Sequence, residues 1–138
     1  MKTVYLHIGP HKTGTTLIQK IFHENREYFF KNYSVDYPKD YKVIFGHHEL
    51  VTQLKMNTFN ETQLRKIIDS SEAKNILLSS ENFDLLNEDE VEKLLLALHC
   101  YDVKVLAMYR ESSLRLYSWW QEEVKHGSTI SFPEYALP

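Results

Sequence analysis

The chain has a single cysteine, Cys100, so no intramolecular disulfide framework can hold it together. Cys100 closes an apolar helical stretch and is expected to be a small core residue. Glycine and proline number four each, which leaves no low-complexity tract, repeat or linker. No apolar run approaches the roughly 18 residues of a membrane-spanning helix. The first residues enter a strand pattern directly, without the order of a signal peptide, so a cytoplasmic protein with no membrane span is expected. An excess of charge is also missing. The formal net charge of −3 gives no basic field, and nucleic acid is not an expected partner. What is present is a chain of 138 residues, 43% hydrophobic and 25% charged, enough for one domain with a core.

The stretch Thr3–Phe22, TVYLHIGPHKTGTTLIQKIF, organises the rest. Val4, Leu6 and Ile8 predict a strand of a covered sheet over Thr3–Ile8. Gly9 and Gly14 bracket a loop holding Lys12 and Thr13. Thr15 and Thr16 then open a helix whose apolar residues are Leu17, Ile18, Ile21 and Phe22, with Gln19, Lys20, His23 and Glu24 facing out. Such a strand–loop–helix is suited to anions. The first helical N–H groups have no intrahelical partner, the helix dipole is positive there, and glycines let the backbone approach a phosphate. Lys12 adds a full charge, and the two threonine hydroxyls add donors. Against G-x-x-x-x-G-K-[ST], Gly9, Gly14 and Thr16 match, but Thr15 stands in the lysine slot. A P-loop kinase or NTPase remains an alternative that this displaced lysine disfavours.

Further along, 29–41 reads as a connection with a short extended piece near Tyr33–Tyr37, and Val43–Phe45 as a short strand. His47 and His48 precede a short helix carrying Leu50, Val51 and Leu54. Adjacent histidines on a helix point about 100° apart, so no metal pair is expected. They read as a solvated turn or as substrate-facing groups. Asn60 with Gln63, and Asn87 with Glu90, have the spacing of capping boxes opening two helices. Asn75–Ser80 and Val103–Tyr109 are two further strands, with Glu81 and Arg110 at their C-terminal ends. Glu111 to about His126 is a helix with Leu114, Tyr117, Trp120 and Val124 on one face, closed by Gly127. Strands alternating with helices imply an α/β fold, a parallel sheet with helices on both faces. Ligands of such folds bind outside the carboxyl ends of the strands, where Lys12, Glu81 and Arg110 would converge.

The run Gly9-Pro-His-Lys-Thr-Gly-Thr-Thr16 resembles the 5′-phosphosulfate loop of sulfotransferases that use 3′-phosphoadenosine 5′-phosphosulfate (PAPS). Arg110 and Ser118, seven residues apart in YRESSLRLYSWWQ, resemble that family's Arg-x7-Ser element. The resemblance covers nearly the whole chain and is nearest to bacterial carbohydrate-type members, where a Tyr-Pro, here Tyr37-Pro38, precedes a histidine-bearing helix. It implies a partial P-loop NTPase-like sulfotransferase fold, with PAPS as co-substrate and no metal. It implies that His11, Lys12, Thr13, Gly14, Thr15 and Thr16 hold the 5′-phosphosulfate, with Lys12 on the bridging oxygen. Arg110 and Ser118 would hold the 3′-phosphate. Glu81 would be the catalytic base, and His47 and His48 would face the substrate, a small-molecule or carbohydrate hydroxyl. Arg115 is expected to be solvated. Two departures stand out. Leu17 occupies the place where many members have a tryptophan stacking on adenine. The family also continues beyond the equivalent of Pro138, so residues 1–138 are expected to be a cofactor-binding domain lacking the C-terminal part. A non-catalytic nucleotide-binding module is therefore a further alternative. Pairing of an open sheet edge with a second copy, a homo-oligomer, is left open.

Overall fold

The apolar runs of the sequence assemble into one all-parallel sheet. Residues 1–136 are described here from a computed structural model. In chain order the strands are β1 (Thr3–His7), β2 (Val35–Asp36), β3 (Asn75–Ser79) and β4 (Asp102–Leu106), arranged β2-β3-β1-β4. Seven α-helices are present among the described residues. They are α1 (Thr15–Glu24), α2 (Arg26–Tyr33), α3 (His48–Lys55), α4 (Glu61–Ser70), α5 (Glu88–Ala97), α6 (Ser112–Lys125) and α7 (Phe132–Ala136), with a 3-10 helix at Glu81–Leu85.

The register puts Val4 and Leu6 of β1 beside Ile76 and Leu78 of β3, on one face of the sheet. All four are buried, together with Leu50, Val51 and Leu54 of α3, Leu64 and Ile68 of α4, and Leu94 and Ala97 of α5. Each fully buried side chain of this size contributes about 1.5–3 kcal/mol, so this layer is the main source of stability. On the opposite face His7 and Ser79 lie side by side, covered by α1 through Gln19. Right-handed crossovers require this division of helices between the two faces, given the strand order. No helix among the described residues is long and apolar enough to cross a membrane.

Local signals fix several boundaries. Asn87 accepts from the Glu90 N–H while the Glu90 carboxylate accepts from the Asn87 N–H, a complete capping box at the start of α5. Asn60 caps α4 by accepting from the Gln63 N–H at 3.1 Å. Gly127, at φ +99°, ends α6 with its N–H on the Val124 carbonyl and that of Ser128 on the Glu123 carbonyl, a Schellman closure.

The structure corrects other readings. The first part of the supposed connection over 29–41, up to Tyr33, belongs to helix α2, and its extended part is only the two residues of β2. Val43 and Gly46 form an isolated bridge rather than a strand, around Ile44 at φ +60°. Cys100 is exposed, because the α5 helix has ended before it. On α1 the apolar pattern misleads: Leu17 is 63% exposed, whereas Gln19 is 2% exposed. Leu114, Tyr117 and Val124 of α6 are exposed, since α6 turns its polar stripe, not its apolar face, to the body of the protein.

Candidate functional site

Three strand ends meet at one edge of the sheet. Beyond the strands, Ser80 N–H donates to the His7 carbonyl, Ile8 N–H to Leu106 and Met108 N–H to Gly9, so the segments after β1, β3 and β4 stay side by side. Lys12, Glu81 and Arg110 all follow these ends.

The loop between β1 and α1 is built for tight turning. Gly9 (φ +89°), Lys12 (φ +64°) and Gly14 (φ +81°) all lie in the left-handed region. A Cβ on Gly9 would sit 3.1 Å from Glu81 Cα and Cβ, so only glycine lets the loop pass this close to Glu81. A Cβ on Gly14 would meet nothing within 4 Å, which leaves open space at the start of α1. Gly14 is the N-cap residue and supplies no side-chain cap, and the first turn carries no acidic residue. The leading N–H groups of α1 therefore face that space with the positive end of the helix dipole. Thr15 is buried, Thr16 is exposed, and Thr13 donates its hydroxyl to the Pro10 carbonyl.

The stretch after β4 folds over the loop. Arg110 donates from Nη1 to the Lys12 carbonyl at 3.0 Å, and Arg115 from Nε to the His11 carbonyl at 3.0 Å. Arg115 is thus a loop anchor rather than a solvated side chain. Further along α6, Glu122 accepts from Lys12 Nζ at 3.0 Å, and the Trp119 ring lies 5.5 Å from the same Nζ. The Lys12 hydrogen bond holds the Glu122 carboxyl below the usual carboxylate range, aided by the Lys12 and Lys125 charges. Arg115, Ser118, Trp119 and Glu122 follow the i, i+3, i+4, i+7 spacing of one helix face. Ser118 is therefore on the loop-facing stripe, and among the described residues it has no side-chain hydrogen bond of its own. His11 bonds Asp84 through Nδ1 at 3.2 Å, and its ring centroid lies 5.8 Å from that of Trp119 at a tilt of 36°.

Glu81 does not stand free. Gln19 Nε2 donates to its Oε2 at 2.9 Å and also to Ser79 Oγ at 3.1 Å. Ser79 Oγ in turn meets His7 Nδ1 at 2.8 Å, so a buried polar chain runs from β1 through β3 to the Glu81 carboxylate. The two adjacent histidines have separate fates. His47 is fully buried, with Nε2 on the Pro38 carbonyl and Nδ1 accepting from the Ser79 N–H. Both ring nitrogens are used in packing, so His47 is neither a solvated turn residue nor open to a substrate. Burial pushes it down to about 4, only partly opposed by the Pro38 hydrogen bond. His48 is half-buried and meets Ser80 Oγ through Nδ1 at 2.7 Å, one residue before Glu81.

Of the residues picked out in the sequence, the structure brings together the loop 11–16, Glu81, Arg110 and Ser118, with His48 nearby. Sequence reasoning missed Asp84 and Glu122 and placed Gln19 on the outer face, while Trp119, read there as a core or ligand-stacking residue, lies over Lys12. A helix-face plot of polar residues finds the α6 stripe, and Thr15 with Gln19, four apart on α1, repeats the same signal. Among the described residues no group of three metal-ligating side chains is present. No family model, curated protein or solved structure matches the chain.

Proposed function

We propose that this chain is a PAPS-dependent sulfotransferase domain acting on an acceptor hydroxyl, with a carbohydrate as the acceptor class. The supporting observation is the pairing of an uncapped, acid-free helix N-terminus at Gly14–Thr16 with an arginine-bearing segment folded over the same loop. Two anion-binding elements at one sheet edge fit a ligand with phosphates at both 5′ and 3′ positions. The open space at Gly14 fits the approach of an oxyanion to the backbone.

PAPS supplies a sulfuryl group whose sulfur–oxygen bond to the 5′-phosphate breaks as the acceptor oxygen bonds to sulfur, leaving adenosine 3′,5′-bisphosphate. The residues divide the remaining work. Lys12 leaves Glu122 and places its charge where negative charge grows on the leaving phosphate. Arg110, with its planar fork, and Ser118 read the 3′-phosphate. Glu81 takes the acceptor proton, its carboxylate aimed by Gln19. His48, near Glu81 through Ser80, is placed to contact the acceptor.

The test is transfer of labelled sulfur from PAPS into a panel of saccharides. Glu81→Gln is expected to lower transfer by about 10²–10⁴-fold, the usual range for loss of a general base, while leaving bisphosphate affinity nearly intact. Transfer by Glu81→Gln at the native rate would remove Glu81 from the role.

A further inference from the structure

The opposite end of α1 lies roughly 15 Å of helix away from the loop. There the end of α1, the start of α2 and the segment 39–44 enclose a groove of about 790 Å³. Its walls carry His23, Arg26, Lys39 and Lys42, with Tyr28 and Ile44 as an exposed apolar lip.

The charges in this groove are unbalanced. Arg26 is matched by Asp36, through Nε to Oδ1 at 2.7 Å, and Asp36 is otherwise occupied by Ser71 at 2.8 Å. The lining carboxylates Glu24 and Glu27 are paired along their helices with Lys20 and Lys31, at 3.7 and 3.9 Å. That leaves two lysines. Lys42 has no ion pair among the described residues, its Nζ lying 2.8 Å from His23 Nδ1 and 5.5 Å from the Tyr37 ring. Lys39 has no ion pair among the described residues. Burial lowers the Lys42 ammonium from its ordinary value, the neighbouring Arg26 and Lys39 charges lower it further, and the Asp36 carboxylate opposes them. Arg26, Lys39 and Lys42 thus line a groove whose two lining carboxylates, Glu24 and Glu27, are paired with lysines outside it, and an incoming anion is stabilised by the cations left.

We infer that this groove binds a phosphate or sulfate monoester of a small polar molecule such as a sugar, with Lys39, Lys42 and Arg26 on the oxyanion. Tyr28 and Ile44 form the wall against which the rest of the molecule lies. Phosphate and sulfate esters share the tetrahedral oxyanion, and the two differ in charge. The site is separate from the β1–α1 loop and does not depend on the function proposed for that loop.

Calorimetric titration of the whole chain at low ionic strength, with glucose 6-phosphate and glucose 6-sulfate and with glucose as control, tests the site. Both esters are expected to bind and glucose is not. The dianionic phosphate binding more tightly marks a phosphate site, and equal or tighter binding of the sulfate marks a sulfate site. Lys39→Gln, at an exposed position that leaves the fold intact, is expected to weaken the esters about tenfold, the scale of one charge-assisted hydrogen bond. Lys39→Gln with Lys42→Gln together abolish binding, while adenosine 3′,5′-bisphosphate affinity stays within about twofold. Lys12→Ala is expected to leave ester binding unchanged. Absence of ester binding at millimolar concentration, indifference to Lys39→Gln, or loss of ester binding in Lys12→Ala overturns the inference.

Discussion

Arg110 illustrates how one side chain links two parts of the proposed site. Its Nη1 holds the Lys12 carbonyl, so the guanidinium is fixed at the loop while its other N–H groups remain for a ligand. Replacing it by alanine removes a charge-assisted contact worth about 1.5–3 kcal/mol. Arg110→Ala is therefore expected to weaken adenosine 3′,5′-bisphosphate by about 10–100-fold and adenosine 5′-phosphate much less, as read by calorimetry. Equal losses for the two ligands would show that Arg110 supports the loop without reading the 3′-phosphate. Glu81 and Gln19 show the converse dependence. The glutamate was legible from its place after a strand, but the glutamine that orients it was not. A polar residue inside an amphipathic pattern reads as exposed unless its partner, here a carboxylate 62 positions away in sequence, is known.

At the scale of elements, α6 is a clasp on the loop. Glu122 occupies Lys12 at 3.0 Å, and a ligand anion must take its place. Glu122→Gln removes this internal competitor, so bisphosphate affinity is expected to rise about two- to fivefold, in line with the small worth of exposed ion pairs. Weaker binding in this variant would make Glu122 a support for Lys12 rather than a competitor. The elements that were legible carried local signals: the capping box at Asn87/Glu90, the cap at Asn60, the apolar runs of β1 and β3, and the glycine after α6. Helix α2 was not legible, because no residue of REYFFKNY is fully buried: Phe30 is only partly buried against the core, and Phe29 stacks on Phe22 and meets Tyr28 edge to face. The face of α6 was misjudged for a related reason. Tyr117 and Trp120 pack on Phe132 of α7, a local aromatic cluster outside the main core.

For the whole molecule, the buried histidines are expected to contribute to the response to acid, beside Asp36, where against the opposing effect of burial the Arg26 and Ser71 hydrogen bonds hold the carboxyl low. His47 is held near 4 by burial, against its ordinary 6.5. His7 is also lowered by burial, with the Glu81 charge opposing. For each, the unfolded chain binds a proton at a higher pH than the folded one does. Their contribution is present above the unfolded value and is lost as pH falls from about 6.5 toward 4. The His47 shift corresponds to a loss on the order of 3 kcal/mol over that window. Denaturant unfolding at successive pH values is expected to show stability falling through this range, and His47→Gln to flatten the fall. An unchanged slope in that variant would show that His47 does not carry the effect.

The parallel sheet was readable from strand–helix alternation, whereas the strand order β2-β3-β1-β4 was not read from the sequence. What the folded chain adds is the closure of α6 over the loop, which depends on contacts such as Lys12 with Glu122, 110 residues apart. The central claim is that the loop at Gly9–Thr16 and the Arg110/Ser118 segment together take a metal-free nucleotide with phosphates at both the 5′ and 3′ positions. Calorimetric titration with adenosine 3′,5′-bisphosphate in the presence of a chelator, beside ATP with Mg²⁺, tests it most directly. The account predicts that the bisphosphate binds without metal and more tightly than Mg²⁺–ATP; tighter binding of Mg²⁺–ATP would contradict it.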